Sequence, residues 1–228
     1  LSLCFATTAS PVSMSAESLA KVKAEETRRR RTYFKAMIGP LLVFTVAAVL
    51  MLKSSPVDWF YWHPFLMLIG TVPVATSAVL IKKIGGYYNT KTHGFLLFLT
   101  LTLYVGGLYV IYTNKEMHHK SHLVSWHSWI GVTAAGLLVG EACGGFFALD
   151  PDCKIRTSPT VEAYIRTFHK YGGKVTLMLA YLACITGWYK RSHWMVEGSV
   201  LGLSSLHCTI IFTIPLLVFA YVAFIKKY

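Results

Sequence analysis

Apolar residues form six long runs from residue 36 onward, and short polar, charged stretches separate them. The runs cover residues 36–52, 59–81, 92–112, 123–149, 165–189 and 199–225. Each of the last five is long enough to cross a hydrocarbon core of about 30 Å as a helix that rises about 1.5 Å per residue. The first run is shorter and is broken by Pro40, so local thinning of the bilayer would have to accommodate it. The pattern predicts an all-α integral membrane bundle of six transmembrane helices.

The composition agrees with a membrane protein. Of the 228 residues, 54% are apolar and 14% are charged, whereas a soluble domain carries about a quarter charged residues. The net charge of +12 does not indicate a nucleic-acid partner, because the charges are confined to loops and ends and form no basic face. The five cysteines show no CxxC pair and no regular spacing, so neither a disulfide framework nor a zinc site is expected.

Residues 1–35 are predicted to be an N-terminal cytosolic tail, disordered in part, and residues 36–228 a single helical domain. The arginine run at 28–31 is typical of a segment that fixes topology, and an anionic-lipid site is the alternative. Residues 1–13 look unlike the rest of the chain, and Met14 could be the natural start, with the preceding residues an upstream extension. A cleavable secretory signal is disfavoured, because no basic region precedes the weakly apolar start.

The basic residues of the loops indicate how the chain crosses the membrane. One side collects the N-terminal tail and the basic residues Lys82, Lys83, Lys91, Lys154, Arg156, Arg166, Lys226 and Lys227. The opposite side holds fewer: Lys53, Lys115, Lys120, Lys190 and Arg191. The richer side is expected to be cytosolic, which places both termini in the cytosol and fits an even number of spans. We therefore expect a multi-pass protein of an endomembrane or the plasma membrane, in contact with lipid.

Four successive runs each carry a histidine near their start: His63, His93, His127 and His169. A lone ionisable side chain inside a span is costly unless something binds it. Runs two and four cross inward, so His63 and His127 should lie at similar depth near the outer face. Runs three and five cross outward, so His93 and His169 should lie near the cytosolic face. The sequence therefore predicts two level pairs of imidazoles.

Two imidazoles at one depth on facing helices are what an axially bis-ligated haem requires. We therefore predict two haem groups held by the four central helices. His63 and His127 would be the axial ligands of the outer haem, and His93 and His169 those of the inner one. The two irons would lie about 15–20 Å apart, a separation that suits electron transfer across the membrane.

Small residues support this hypothesis. Gly131 and Gly173 lie four positions after His127 and His169, on the same helix face one turn on. A porphyrin plane that leans along a helix needs such missing side chains. The alternative is that these glycines only permit close packing of membrane helices. A single histidine would likewise be an interfacial or hydrogen-bonded residue, but four that pair by direction favour a cofactor site.

Four short segments carry a family resemblance: WHPFLM at 62–67, KTHG at 91–94, SHLVSWHSWIG at 121–131 and FHKYGG at 168–173. In this order, and with six runs, the chain resembles the cytochrome b561 family over roughly residues 36–228, and most of all its short, core-only transmembrane reductases. The resemblance implies that the four histidines bind two b haems. It implies a haem-dependent reductase that passes electrons from cytosolic ascorbate to monodehydroascorbate or a ferric chelate across the membrane, and a homodimer. The stretch AVLIKKIGG at 78–86 departs from the basic motif of ascorbate-using members.

Polar residues outside the runs are candidates for handling the small-molecule donor and acceptor. On the outer side, His118, His119 and His122 could hold ferric iron or steer an acceptor, since imidazole suits iron. On the inner side, the candidates for an anionic donor or for haem propionates are Lys82, Lys83, Lys91, Arg156, Arg166 and Lys170. Arg166 and Lys170 are preferred because they flank His169. The alternatives are a solvated loop on the outer side and a topology signal on the inner side.

The alternative function is a multi-pass proton-coupled or metal-ion transporter that uses intramembrane His, Glu and Lys side chains. Glu141, Lys174 and His207 favour it, since each lies inside an apolar run. A transporter would need its polar groups near mid-membrane along one path, whereas the four predicted ligands cluster near the ends of their runs. Glu141 could also form a buried pair with Lys174 at the depth of the inner haem.

Overall fold

The computed structural model describes residues 15–54, 58–152 and 158–196, with the single positions 213 and 217. Its α-helices in these ranges are α1 (Ala16–Ser54), α2 (Trp62–Ile69), α3 (Thr76–Ile84), α4 (Tyr87–Met117), α5 (Trp126–Gly144) and α6 (Pro159–Val196). The all-α class is therefore confirmed for this part of the chain. His207 lies outside the described residues, as does the sixth predicted run, 199–225, apart from the two single positions.

The second apolar run folds as one bent helical rod. A 3₁₀ turn at Trp59–Tyr61 leads into α2, and a π-helical segment at Gly70–Ala75 joins α2 to α3. Pro73 lies inside that segment. Because the proline nitrogen carries no hydrogen, a local change from α to π hydrogen bonding accommodates the missing donor. The rod ends at Gly85, whose φ of 83° lies in a region that glycine adopts readily.

The first apolar run belongs to a longer helix than the sequence indicated. Helix α1 begins at Ala16 and continues through Pro40 to Ser54, so the expected break at Pro40 is wrong. Tyr33, which precedes the apolar run, is buried against Leu80 and Ile84 at the end of the rod. This contact holds α1 against the rod where the charged segment meets the apolar run. The domain division at residue 35 and the cytosolic side of the tail stay predictions.

Helices α4, α5 and α6 and the α2–α3 rod pack around buried aromatic and aliphatic side chains. One cluster joins the rod to α6 and contains Tyr61, Leu68, Val72, Ala75, Leu177, Tyr181 and Trp188. A second joins α4, α5 and α6 and contains Tyr104, Ala134, Ala135, Leu138 and Ala180. Two buried hydroxyl pairs cross these interfaces: Thr71 with Tyr104, at 2.6 Å, and Thr76 with Tyr181. An unpaired buried hydroxyl is costly, so these pairs specify how the helices are rotated against each other.

Three helical segments are long and apolar enough to cross a membrane, judged over the described residues: Trp59–Ile84, Tyr87–Met117 and Trp126–Leu149. They correspond to the second, third and fourth runs. Large apolar side chains of α4 face outward, with Phe95 66% and Phe98 67% exposed. Such a surface suits lipid rather than water. The complete six-span arrangement stays a prediction.

Candidate functional site

His63 and His127 lie in the first turns of α2 and α5. Helix α5 begins there because the Ser125 side chain, at the N-cap position, accepts a hydrogen bond from the Ser128 N–H. The centroids of the two imidazole rings are 6.3 Å apart, and the ring planes are inclined by 82°. The structure thus brings together the two histidines that were expected to share the outer depth.

His93 and His169 form the other pair, from the first two turns of α4 and from α6. Their ring centroids are also 6.3 Å apart, with planes inclined by 87°. The pairs lie toward opposite ends of the rod. His63 is at its start, whereas the His93 ring contacts the carbonyl of Ala78 near its end.

The spacing within each pair fits two rings that bind one metal ion from opposite sides. Metal–imidazole bonds are about 2 Å long, so two rings on opposite sides of one ion have centroids about 6 Å apart. Both pairs show 6.3 Å. No group of three or more His, Cys, Asp or Glu side chains in the described ranges is placed to hold a metal ion. Two imidazoles are the protein ligands of a six-coordinate haem iron, since the porphyrin supplies the other four, so the donor set fits haem.

Three of the four rings are held by a backbone carbonyl of a neighbouring helix. Nδ1 of His63 donates to the carbonyl of Gly107 at 2.8 Å. In the same way, His93 donates to Ala78 at 2.9 Å and His127 donates to Ala183 at 3.0 Å. Because a carbonyl oxygen can only accept, Nδ1 carries the proton in each of these rings. The Nε2 atom then keeps its lone pair for a metal ion, and metal-binding histidines are oriented in the same way. The sequence could not predict these acceptors. A backbone carbonyl is present in every residue, so no residue type indicates which one accepts the bond.

The fourth ring, that of His169, faces a carboxylate instead. Its Nδ1 atom lies 2.6 Å from Oε2 of Glu141. The two groups are not aligned as a hydrogen bond, and neither atom has a hydrogen-bond partner within the described part of the chain. The 2.6 Å distance is nevertheless short enough for a hydrogen bond, because a small rotation of either side chain would align the two groups. The pairing of Glu141 with Lys174 that was considered from the sequence is replaced: the Lys174 ammonium lies 5.4 Å from the ring centroid of Tyr171.

Glycines on facing helices make room for two of the rings. A Cβ atom at Gly187 of α6 would lie 2.8 Å from Cε1 of His127. A Cβ atom at Gly145, directly after α5, would lie 3.3 Å from Cε1 of His169. Neither glycine was singled out from the sequence. Each contact joins two different helical segments, so no regular spacing between the glycine and the histidine indicates it.

The two glycines that were singled out border the same regions. A Cβ atom at Gly131 would meet no atom within 4 Å, so open space lies one turn after His127. A Cβ atom at Gly173 would meet only Glu141, at 4.0 Å. Its neighbour Gly172 is the tighter position, because a Cβ atom there would collide with the Glu141 carboxylate.

The outer loop between α4 and α5 places its three histidines in different settings. His118 donates from Nδ1 to a backbone carbonyl of α4 at 2.7 Å. His119 is exposed and has a φ of 50°. His122 contacts Oε1 of Glu116 through Nε2 at 2.7 Å, and its ring stacks on Tyr112 with centroids 4.8 Å apart. Of the three, His122 is therefore the one that other side chains orient.

Lys91 is paired with two carboxylates of the segment after α5. Its Nζ atom lies 3.0 Å from Asp150 and 3.0 Å from Asp152, and the Tyr87 hydroxyl donates to Asp152 at 2.7 Å. The hydrogen bonds from Tyr87 and Lys91 lower the pKa of Asp152. These contacts link the start of α4 to the end of α5. Because the Lys91 ammonium is already paired with two carboxylates, Lys91 is a weaker candidate for binding an anionic electron donor.

The other basic candidates lie at the same end of the bundle. Their described partners are the Thr90 hydroxyl for Lys82, at 2.8 Å, the Glu162 carboxylate for Arg166, and the Tyr171 ring for Lys170, at 5.7 Å. Lys83 is half-buried near the end of α3, and Arg156 lies outside the described residues. Arg166 and Lys170 are both exposed, three residues before and one residue after His169.

The model of the family described as eukaryotic cytochrome b561 matches residues 62–196, a stretch that contains both histidine pairs. The lysosomal membrane ascorbate-dependent ferrireductase CYB561A3 of Danio rerio is 27% identical over 63% of this chain and 59% of the relative. The transmembrane reductase CYB561D2 of Bos taurus is 27% identical over 75% of this chain and 78% of the relative. The probable transmembrane ascorbate ferrireductase 4 of Arabidopsis thaliana is 26% identical over 71% and 75%. The chain thus spans about three fifths of the length of the first of these relatives.

Proposed function

Since the chain belongs to the eukaryotic cytochrome b561 family, we propose that it is a transmembrane reductase that moves electrons from cytosolic ascorbate to a ferric chelate or monodehydroascorbate across the membrane. Relatives named as ascorbate-dependent ferrireductases support this donor and acceptor class. The observation that carries the proposal is the pair of matched imidazole contacts, His63 with His127 and His93 with His169, each at 6.3 Å.

Two haem b groups would be held by these pairs. Haem, when bound, supplies a carrier that takes up and releases one electron at a time. The protein's share is to hold the imidazoles in one tautomer, which the carbonyls of Gly107, Ala78 and Ala183 do. A fixed tautomer keeps Nε2 available and removes the entropy cost of orienting the ring when it binds.

Buried side chains also fill the space between the two pairs. On α4, Tyr104 lies between His93 and the Gly107 carbonyl that holds His63, and it is buried with Leu138 of α5. Its hydroxyl is hydrogen-bonded to that of Thr71 at 2.6 Å. A tightly packed middle of this kind, with its hydroxyls paired, would limit solvent access to both sites.

The two ends of the bundle would receive the small molecules. At the inner end, Lys82 and Lys170 would supply positive charge for an anionic donor near His93 and His169, and Arg166 would add to it despite its pairing with Glu162. Lys83 and Lys91 are weaker candidates there, Lys91 because of its two carboxylate partners. At the outer end, His122 is the candidate for the acceptor whose ring is held by side chains, those of Glu116 and Tyr112, while His118 and His119 are the less constrained candidates.

The remaining parts of the proposal concern topology and assembly. We place both termini in the cytosol, with six spans in an endomembrane or the plasma membrane, and we expect a homodimer in contact with lipid. A transporter is the less supported function, because Glu141 contacts a ring of the inner pair and Lys174 lies over an aromatic ring. Its third feature, His207, lies outside the described residues.

The test is haem stoichiometry combined with reduction by ascorbate. The full chain is expressed, purified in detergent or nanodiscs, and analysed for b-type absorption and for haem per chain. We expect two haems per chain and a reduced b-type band after ascorbate is added, followed by reoxidation by a ferric chelate. A colourless protein, or one with a single haem, would contradict the proposal.

A further inference from the structure

The four imidazoles differ in what faces their Nδ1 atom. Three donate to backbone carbonyls, which are neutral, whereas His169 faces the carboxylate of Glu141 at 2.6 Å. The outer pair therefore has two carbonyl acceptors, whereas the inner pair has one carbonyl acceptor and, beside the second Nδ1 atom, a carboxyl group. This asymmetry lies within the described part of the chain and is not required for the rings to pair, since both pairs have the same spacing.

The position of Glu141 is built by the surrounding helices. Its side chain is 9% exposed, and it lies on α5 opposite the α6 backbone at Gly172, where a Cβ atom would collide with the carboxylate. The missing side chain at Gly172 is thus what allows the carboxylate to reach His169. A buried carboxylate in a membrane bundle is costly, so a position shaped to hold one indicates a role.

We propose that Glu141 is a positioning residue that lowers the reduction potential of the inner haem relative to the outer one. The inference rests on the proposed function. After the small rotation that aligns this contact, an ionised Glu141 carboxylate would accept from the His169 Nδ1–H more strongly than a carbonyl does. The His169 ring would then have more anionic character and be a more basic ligand. A more basic axial ligand stabilises ferric over ferrous iron. Under the proposed function, electron transfer from the His93–His169 site to the His63–His127 site would then be downhill.

The experiment is an equilibrium redox titration of the haem-loaded full chain and of its Glu141→Gln variant, followed by visible absorption. Glutamine keeps the size and an accepting oxygen but removes the charge. At a fixed applied potential, we expect the ratio of reduced to oxidised inner haem to rise about tenfold in the variant, which corresponds to about 59 mV for a one-electron couple. An inner haem whose potential does not move would overturn the inference.

Variants with a single haem assign the shift. In a His127→Ala background, where the inner haem alone is expected, Glu141→Gln should produce the same shift. In a His93→Ala background, where the outer haem alone is expected, it should produce none. A shift of equal size in both backgrounds would mean a general electrostatic effect and would also overturn the inference.

A matched control and a second route complete the test. Glu26→Gln makes the same chemical change in an exposed ion pair with Arg30 and should leave both potentials unchanged. Gly172→Ala keeps the charge but displaces the carboxylate, so it should raise the inner potential as well, and it decides the matter if Glu141→Gln fails to retain haem. A wild-type protein without two haems would refute the proposed function, whereas two haems with no shift in either variant would refute only this inference.

Discussion

The ring of His127 lies directly against the backbone of Gly187, where a Cβ atom would come within 2.8 Å of Cε1. The same ring donates from Nδ1 to the carbonyl of Ala183, one turn earlier on α6. Helix α6 therefore both orients this imidazole and leaves space for it. The position of one proposed outer ligand depends on a single missing side chain of a helix that also carries a proposed inner ligand, His169.

The first prediction concerns this contact. Gly187→Ala should displace the His127 ring, because real Cβ atoms do not approach a neighbour so closely. We expect loss of the outer haem with the inner haem retained, measured as haem per chain and as the fraction of b-type absorbance that ascorbate reduces. Gly136→Ala is the control, since Gly136 lies nine residues after His127, on the opposite face of α5, with no neighbour within 4 Å. Equal haem content in both variants would contradict the prediction.

The second prediction concerns the inner pair. His93→Ala or His169→Ala should remove about half of the bound haem and abolish reduction by ascorbate from the cytosolic side, because each haem needs both axial imidazoles. Haem analysis and stopped-flow reduction measure the two effects. The matched control is His63→Ala, which should also halve the haem but leave reduction of the remaining haem intact. A content of two haems per chain in either inner variant would show that the assignment is wrong.

The third prediction concerns the outer loop. His122→Gln should slow oxidation of the reduced protein by a ferric chelate while haem content stays unchanged, because the ring held by Glu116 and Tyr112 is the one proposed to meet the acceptor. Single-turnover oxidation kinetics provide the measurement. Lys120→Gln changes a neighbouring residue of the same loop and serves as the control. Unchanged oxidation kinetics in the His122 variant would show that this histidine is only part of a solvated loop and does not act on the acceptor.

The fourth prediction concerns pH and the link between α4 and α5. The pKa of Asp152 is lowered by the hydrogen bonds from Tyr87 and Lys91, so its contribution to stability is present above the ordinary carboxyl pKa of about 4 and is lost as the pH falls through the lowered value. Asp152→Asn should therefore lower the thermal unfolding midpoint at pH 7, and the difference from wild type should shrink below about pH 4. Thermal unfolding in detergent at several pH values measures this. Glu17→Gln, in an exposed pair with Lys21, is the control, and a pH-independent difference would argue against the ion pair.

Much of the plan of this protein could be predicted before any coordinates. The lengths of the apolar runs indicated helices, and the direction of successive runs placed His63 level with His127 and His93 level with His169. Both kinds of information are one-dimensional, since depth in a membrane follows from position along a helix. The structure brings both pairs of rings together at the same spacing. Their role as haem ligands stays a prediction that haem analysis must test.

Other features required the tertiary structure. The carbonyl acceptors of the rings, the glycines at 145, 172 and 187, and the contact of Glu141 with His169 all join residues of different helices. Such contacts depend on how each helix is rotated about its axis and on which faces pack, and spacing along one chain segment does not carry that information. The unbroken helix through Pro40 has the same origin, because Tyr33 packs against the end of the α2–α3 rod. Sequence thus predicted which imidazoles pair, whereas packing between helices decided the Nδ1 neighbour and the orientation of each ring.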